Sequence, residues 1–246
     1  MTRALGPYVT KTLGVDVSPN MVETYKSRAA SAGLSQDTVD AVVGNLFDKA
    51  KPEPAELAGK EWWGFDLAAV GFGFHHFEDV VFAASQLKER LRPGGVLVIN
   101  DFLEGGDIQA DENGNPIEGS EGNHAVHQHG HGHGHGHGHG HGHHSHEHGE
   151  HKPGHSHIHA KEQHTGRNGD FTNPDPELEK KMKDSVVVPH FTIDGVKQFF
   201  KAAGFVDVDV ITLKDRSYME FGGKKLWRTI LVAKGRRPEK EEKSEL

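Results

Sequence analysis

Eighteen of the 21 histidines in this 246-residue sequence fall between His124 and His164, many of them alternating with glycine as in "HGHGHGHGHGHGHGHH". Neutral imidazole is a good ligand for zinc, nickel and copper, and a glycine-spaced chain can gather several rings around one ion. His129, His131, His133, His135, His137, His139, His141, His143, His144, His146 and His148 are therefore candidate metal ligands, with Zn or Ni the ions expected as partners. Glycine gives the backbone freedom and no packing surface, so the tract is expected to be a long disordered insert in the absence of a ligand. Binding of divalent metal ions in vitro follows from the chemistry. A physiological metal role competes with plain repeat expansion, because added length in a surface loop costs little closure entropy.

A second set of polar residues sits at the ends of apolar runs. Asp16 closes "TLGVDV" (12–17), and Ser18 and Pro19 then supply an N-cap and a first-turn proline for a helix through "NMVETYKSRAASAG" to Gly33. "DAVVGN" (40–45) and "FDLAAVGFGF" (65–74) are short continuous apolar runs, which predict parallel strands buried on both faces. "FEDVVFAASQLKERL" (77–91) has helical spacing, "RPGG" (92–95) reads as a turn, and "VLVINDF" (96–102) is another buried strand ending at Asp101. Beyond the histidines, "TIDGVKQFFKAAGF" (192–205) is an amphipathic helix, followed by strands "VDVDVITL" (206–213) and "KLWRTILVAKG" (225–235). This alternation implies an α/β domain with a parallel sheet and helices on both faces. The expected organisation is a first part of the domain over 1–104, a low-complexity insert over 105–170, a second part over 171–235 and a charged tail over 236–246. A strand-end carboxylate such as Asp16 stands where open α/β sheets bind ligands and can accept both hydroxyls of a ribose; it can equally make local turn bonds at the helix entry.

The order "GVDVSPNM", "VVGN", "FDLAAVGFGFHHFED", "LRPGGVLVINDF", then a helix and a final strand pair, resembles class I S-adenosylmethionine-dependent methyltransferases, closest to the small-molecule type called methyltransferase type 11. The likeness covers nearly the whole chain outside residues 105–170. It implies a Rossmann-like sheet, S-adenosyl-L-methionine as methyl donor and a small-molecule methyl acceptor. It also implies donor-binding roles for Asp16 and Val17 at the ribose, Met21 against the adenine, and Asn45 and Leu46 where the family often has an aspartate reading the adenine amino group. Gly71 and Phe72, with Phe74, would line the methyl-donor pocket. His75 and His76 match a frequent "HH" after that strand, most often in a supporting role. Asp101, His76 and, by a loose match, His190 are the catalytic candidates, with Asp101 facing the same rim to orient a nucleophile. The reaction implied is in-line methyl transfer from a sulfonium, which asks mainly for proximity and orientation.

One part of the family pattern is missing. The family places a strand, a glycine-rich turn and a helix before the ribose carboxylate, whereas here "MTRALGPYV" resembles only the second half of that helix. The sheet is therefore expected to lack its first, central strand, and with it the loop whose backbone would cradle the donor's methionine portion. Donor binding is correspondingly expected to be impaired. The competing expectation is a non-catalytic methyltransferase-like scaffold that displays a metal-binding histidine loop.

Composition narrows the partners. A formal net charge of −8 with no basic patch makes nucleic acid an unlikely partner. The absence of cysteine excludes disulfides and thiolate metal sites. The longest apolar runs fall short of a membrane span and no signal peptide opens the sequence, so a cytoplasmic protein is expected.

Overall fold

The computed structural model describes residues 2–51, 54–125, 187, 189–221 and 223–239. The chain enters through a short helix α1 (Thr2–Leu5) and a 3₁₀ turn at Gly6–Tyr8, and then forms β1 (Thr12–Asp16). Helix α2 (Pro19–Ser31) starts where the sequence predicts: Ser18 has extended backbone, and its hydroxyl accepts from the Met21 amide at 3.4 Å. Strand β2 (Val39–Val43) returns parallel to β1, in register from Thr12 opposite Val39 to Asp16 opposite Val43, and α2 packs on this pair.

The second sheet has six strands. In space β3 (Phe65–Gly71), β4 (Leu91–Ala110), β8 (Lys224–Arg236) and β6 (Val206–Thr212) lie side by side, with β5 (Pro116–Gly122) added to β4 and β7 (Ser217–Phe221) added to β8. Only β3 and β4 run parallel; the other pairs are antiparallel, so the sheet is mixed. Helices α3 (Val80–Arg90) and α4 (Ile193–Ala202) share one core over this sheet, in which Phe74, Leu97, Ile99, Val196, Phe200 and Leu231 are fully enclosed. Each large apolar side chain buried there contributes about 1.5–3 kcal/mol.

Among the described residues no ladder joins the two sheets. Among the described residues β1 pairs with β2 alone and β3 with β4 alone. Strand β3, expected to be buried on both faces, is accordingly half open, with Asp66, Ala69 and Gly71 exposed, and every residue of β1 is only partly covered. The physical reason is that one edge of each strand has no neighbour among the described residues.

Three boundaries differ from expectation. "RPGG" does not break the chain; β4 runs through it as a bulge, its pairing with β3 jumping from Phe65 opposite Leu91 to Leu67 opposite Val96. Gly94 takes the left-handed region (φ +75°), and a Cβ on Gly95 would lie 2.8 Å from the Phe65 carbonyl oxygen, which explains two glycines in succession. The insert boundary drawn at 105 falls inside β4, which continues to Ala110 and turns back into β5. The Asp111 carboxylate caps that turn by accepting from the Asn113 and Asn115 amides at 2.9 and 2.8 Å, and the Trp227 indole N–H holds the Gly114 carbonyl at 2.9 Å. Finally, the expected tail from 236 begins docked: Arg236 still pairs with Val96, and Arg237 exchanges backbone bonds with Gly94 and Gly95 while its guanidinium holds the carbonyls of Lys88, Glu89 and Leu91. No helix among the described residues is long and apolar enough to cross a membrane.

Candidate functional site

The carboxyl end of β1 delivers Asp16 to the start of α2. Its Oδ1 accepts from the Ser18 amide at 2.8 Å, which is the local turn bond, and its main-chain carbonyl accepts from Gly44 N at 3.0 Å, tying the ends of β1 and β2 together. One local bond leaves carboxylate capacity for a further donor. Around it Val17 is 66% and Met21 57% exposed, so Met21 is not spent on packing α2. Asn45 follows the buried Gly44, but its amide oxygen accepts from the Phe47 amide at 2.9 Å and so is turned onto its own loop. Leu46 is partly buried against the core.

At the end of β3, Gly71 is exposed and Phe72 sits at φ +52°, rare for an aromatic residue, with its amide on the Asn100 carbonyl at 2.9 Å. The Phe72 ring stacks on Phe102 of β4 at 5.0 Å and stays 39% exposed. The chain then makes a single 3₁₀ turn, Phe74–His76, which brings His75 back over β4.

That turn closes a buried histidine–carboxylate pair. Asp101 Oδ1 lies 2.9 Å from His75 Nδ1 and accepts from the Phe102 amide at 2.9 Å, while Oδ2 accepts from the His75 amide at 3.2 Å. Asp101 is fully buried, so it does not face the rim itself, contrary to expectation; it reaches the rim through His75. His76 is exposed and packs its ring on that of His75 at 4.1 Å, and Phe102 flanks His75 at 5.6 Å.

His190 belongs to a second cluster. Its Nε2 lies 2.7 Å from Asp107 Oδ2, which also accepts from the Ala125 amide at 3.2 Å, while Oδ1 accepts from Arg228 Nε at 2.9 Å. A second guanidinium nitrogen of Arg228 donates to the Pro189 carbonyl at 3.2 Å, and the group lies 3.4 Å from the Phe102 ring centroid. Burial pushes the Asp107 carboxyl up, but the His190 hydrogen bond and the Arg228 charge and hydrogen bond outweigh it and hold the carboxyl below its ordinary value. For Arg228 burial wins and holds the guanidinium below its ordinary value, only partly opposed by the charge and hydrogen bond of Asp107 and by the charge of Asp101. Asp107 and Arg228 carry no apolar pattern that would mark them in the sequence; the loose "VVPH" match found His190 without its partners.

The structure thus brings Asp101, His75, His76 and Phe72 together, sets Asp16, Val17, Met21 and Asn45 at the ends of β1 and β2, and encloses His190 elsewhere in the sheet. The candidate metal ligands His129 to His148 lie outside the described residues. Among the described residues no group of three or more His, Cys, Asp or Glu side chains is placed to hold a metal ion.

Comparison with known proteins bears on the same strands. Residues 1–97, which hold β1 to the start of β4, match the family described as a methyltransferase domain. An uncharacterized methyltransferase of Schizosaccharomyces pombe is 28% identical over 109 residues, 44% of this chain and 36% of that protein. A demethylmenaquinone methyltransferase of Staphylococcus aureus is 28% identical over 98 residues, 40% of this chain and 35% of that protein. The matched stretch thus spans about a third of the length of these relatives. Among solved structures, the YcgJ protein of Bacillus subtilis (14% identity, 97% of this chain and 87% of that chain, TM-score 0.47) and an S-adenosylmethionine-dependent methyltransferase from Thermotoga maritima (14%, 96% and 76%, TM-score 0.45) are similar to this chain. Residues 1–97 are thus similar to a methyltransferase domain, and strands and helices alternate from α1 to β4 in an α/β arrangement.

Proposed function

We propose that this chain is an S-adenosylmethionine-dependent methyltransferase that holds the donor across the carboxyl ends of β1, β2 and β3 and passes its methyl group to a small acceptor. The observation that carries the reading is the rim at Asp16: a strand-end carboxylate with one local bond, followed at the start of α2 by the exposed apolar side chains of Val17 and Met21. Exposed apolar groups beside a single acceptor suit a nucleoside, whose ribose hydroxyls donate to the carboxylate while its base covers the apolar surface. Asn45 is the weaker part of the fit, because its amide oxygen is engaged by Phe47. The donor supplies an already activated methyl group, so the work left to this chain is positioning. A cytoplasmic location and a small-molecule acceptor belong to the same proposal.

Titration calorimetry with S-adenosylmethionine tests it. Saturable binding without added metal is expected, and Asp16→Ala should weaken it by about 1.5–3 kcal/mol, the scale for hydrogen bonds to a charged group. Unchanged affinity in the variant removes Asp16 from the site, and no binding to the parent chain removes the function.

A further inference from the structure

We propose that Met21 is a redox modification site: oxidation of its thioether to the sulfoxide by hydrogen peroxide weakens binding of the methyl donor, and enzymatic reduction restores it. The inference rests on the methyltransferase reading for its ligand and concerns the regulation of that same rim. The sequence contains no cysteine and four methionines, so the thioethers are the sulfurs open to oxidation. Met21 and Met219 lie among the described residues, and the fold treats them differently. Met219 sits in the middle of β7, opposite Leu226 of β8, and is partly buried. Met21 is 57% exposed, because α2 buries Val22 and Ala29 and leaves Met21 outside.

Met21 is exposed at a place where a polar change has consequences. It lies in the first turn of α2, where its amide donates to the Ser18 hydroxyl at 3.4 Å and Pro19 fixes the helix entry. A long side chain in a helix leans towards the helix N-terminus, which carries Met21 back over the turn where Asp16 accepts from the Ser18 amide at 2.8 Å. With Val17, 66% exposed, it makes the apolar surface that a base covers when the ribose hydroxyls donate to Asp16. A thioether suits that contact, being apolar and polarizable. A sulfoxide does not, because its oxygen is a polar acceptor that stays hydrated and adds negative character beside the carboxylate. In the step a sulfur lone pair forms an S–O bond to one peroxide oxygen as the O–O bond breaks, and the second oxygen leaves as water with both protons. The sulfur is oxidised by two electrons and the peroxide is reduced. In the return step a dithiol becomes a disulfide and the oxygen is released as water; with no cysteine in this chain, that dithiol belongs to a separate reductase.

Hydrogen peroxide is the probe, removed before S-adenosylmethionine calorimetry, with mass mapping of every methionine peptide. In the full wild-type chain Met21 is expected to gain one oxygen atom before Met219 does, and donor affinity to fall about tenfold as it does so, the scale of losing a sulfur–aromatic contact. Methionine sulfoxide reductases of both epimer specificities, with dithiothreitol, should restore the affinity, a readout that needs no variant to fold. The affinity of Met21→Leu, whatever its starting value, should be the same before and after peroxide. That variant keeps Met1, Met182 and Met219, so an equal loss in it assigns the effect to another methionine and overturns the proposal. Earlier oxidation of Met219, an affinity that stays put while Met21 is oxidised, or a fall in melting temperature that accounts for the lost binding overturns it as well. Untreated wild-type protein that binds no donor overturns the methyltransferase reading and this proposal with it, whereas donor binding that survives oxidation of Met21 overturns this proposal alone.

Discussion

His75–Asp101 and His190–Asp107 are built from the same two side chains, each with a fully buried aspartate projecting from β4, but the two pairs differ in what surrounds the carboxylate. Asp107 is charge-compensated by Arg228 at 2.9 Å and is further held by the Ala125 amide, while the His190 side chain is 3% exposed. Asp101 receives amides and an imidazole, with the Arg228 charge acting on it without a direct contact, and the His75 side chain, 11% exposed, sits in the middle of the 3₁₀ turn. The first arrangement fastens β4 to β8 through a buried ion pair, and the second ties the turn after β3 onto β4. The lesson is that a histidine–aspartate contact acquires a role from the third group at the carboxylate.

The largest break in this comparison is expected at the clasp. Asp107→Ala leaves the Arg228 guanidinium buried without its counter-charge, and loss of one partner from a buried pair costs about 3–5 kcal/mol. Chemical denaturation should show a fall of that size. A change under about 1 kcal/mol would mean that Arg228 relaxes towards water and that the clasp does not fasten β4 to β8.

Acid should sharpen the same contrast. The Asp107 carboxyl is held below its ordinary 3.8, so folding is favoured by its ionised form. That contribution is complete above the ordinary carboxylate range and is lost as pH falls below about 4 towards the depressed value. Stability measured between pH 6 and pH 3 should therefore drop more steeply in the wild type than in Asp107→Asn, which has no carboxyl there to protonate. Parallel curves would deny Asp107 a depressed value.

Much of the first hundred residues was legible because the signals are local. Ser18 and Pro19 announce α2, and the apolar runs of β1 to β3 are bounded by turn residues. Asp101 and the paired histidines were each visible as candidates, although nothing in the spacing of 26 residues says that His75, rather than His76, closes on the carboxylate. The clasp was out of reach, since Asp107 meets His190 and Arg228 across 83 and 121 residues. The extension of β4 into β5 was hidden by a stretch rich in Gly, Asp and Glu that reads as a loop. The Asn113-Gly114 step, with Gly114 at φ +84°, was the hairpin signal it offered, and the ladder from Asp107 to Gln109 onto Leu226 to Arg228 is what makes the stretch a strand.

The smallest expected effect falls on Phe72, whose partly exposed ring stacks on Phe102. Phe72→Gly removes the stacked ring on Phe102, worth about 0.5–1.5 kcal/mol beyond the area it covers, and at the same time relieves an αL conformation worth about 1–3 kcal/mol. The two terms oppose each other, and with the ring already 39% exposed its burial adds little, so stability should change by less than about 1 kcal/mol in either direction. If thermal denaturation instead shows a loss on the scale of Asp107→Ala, Phe72 is a core residue. The strain at +52° would then serve packing of β3 onto β4.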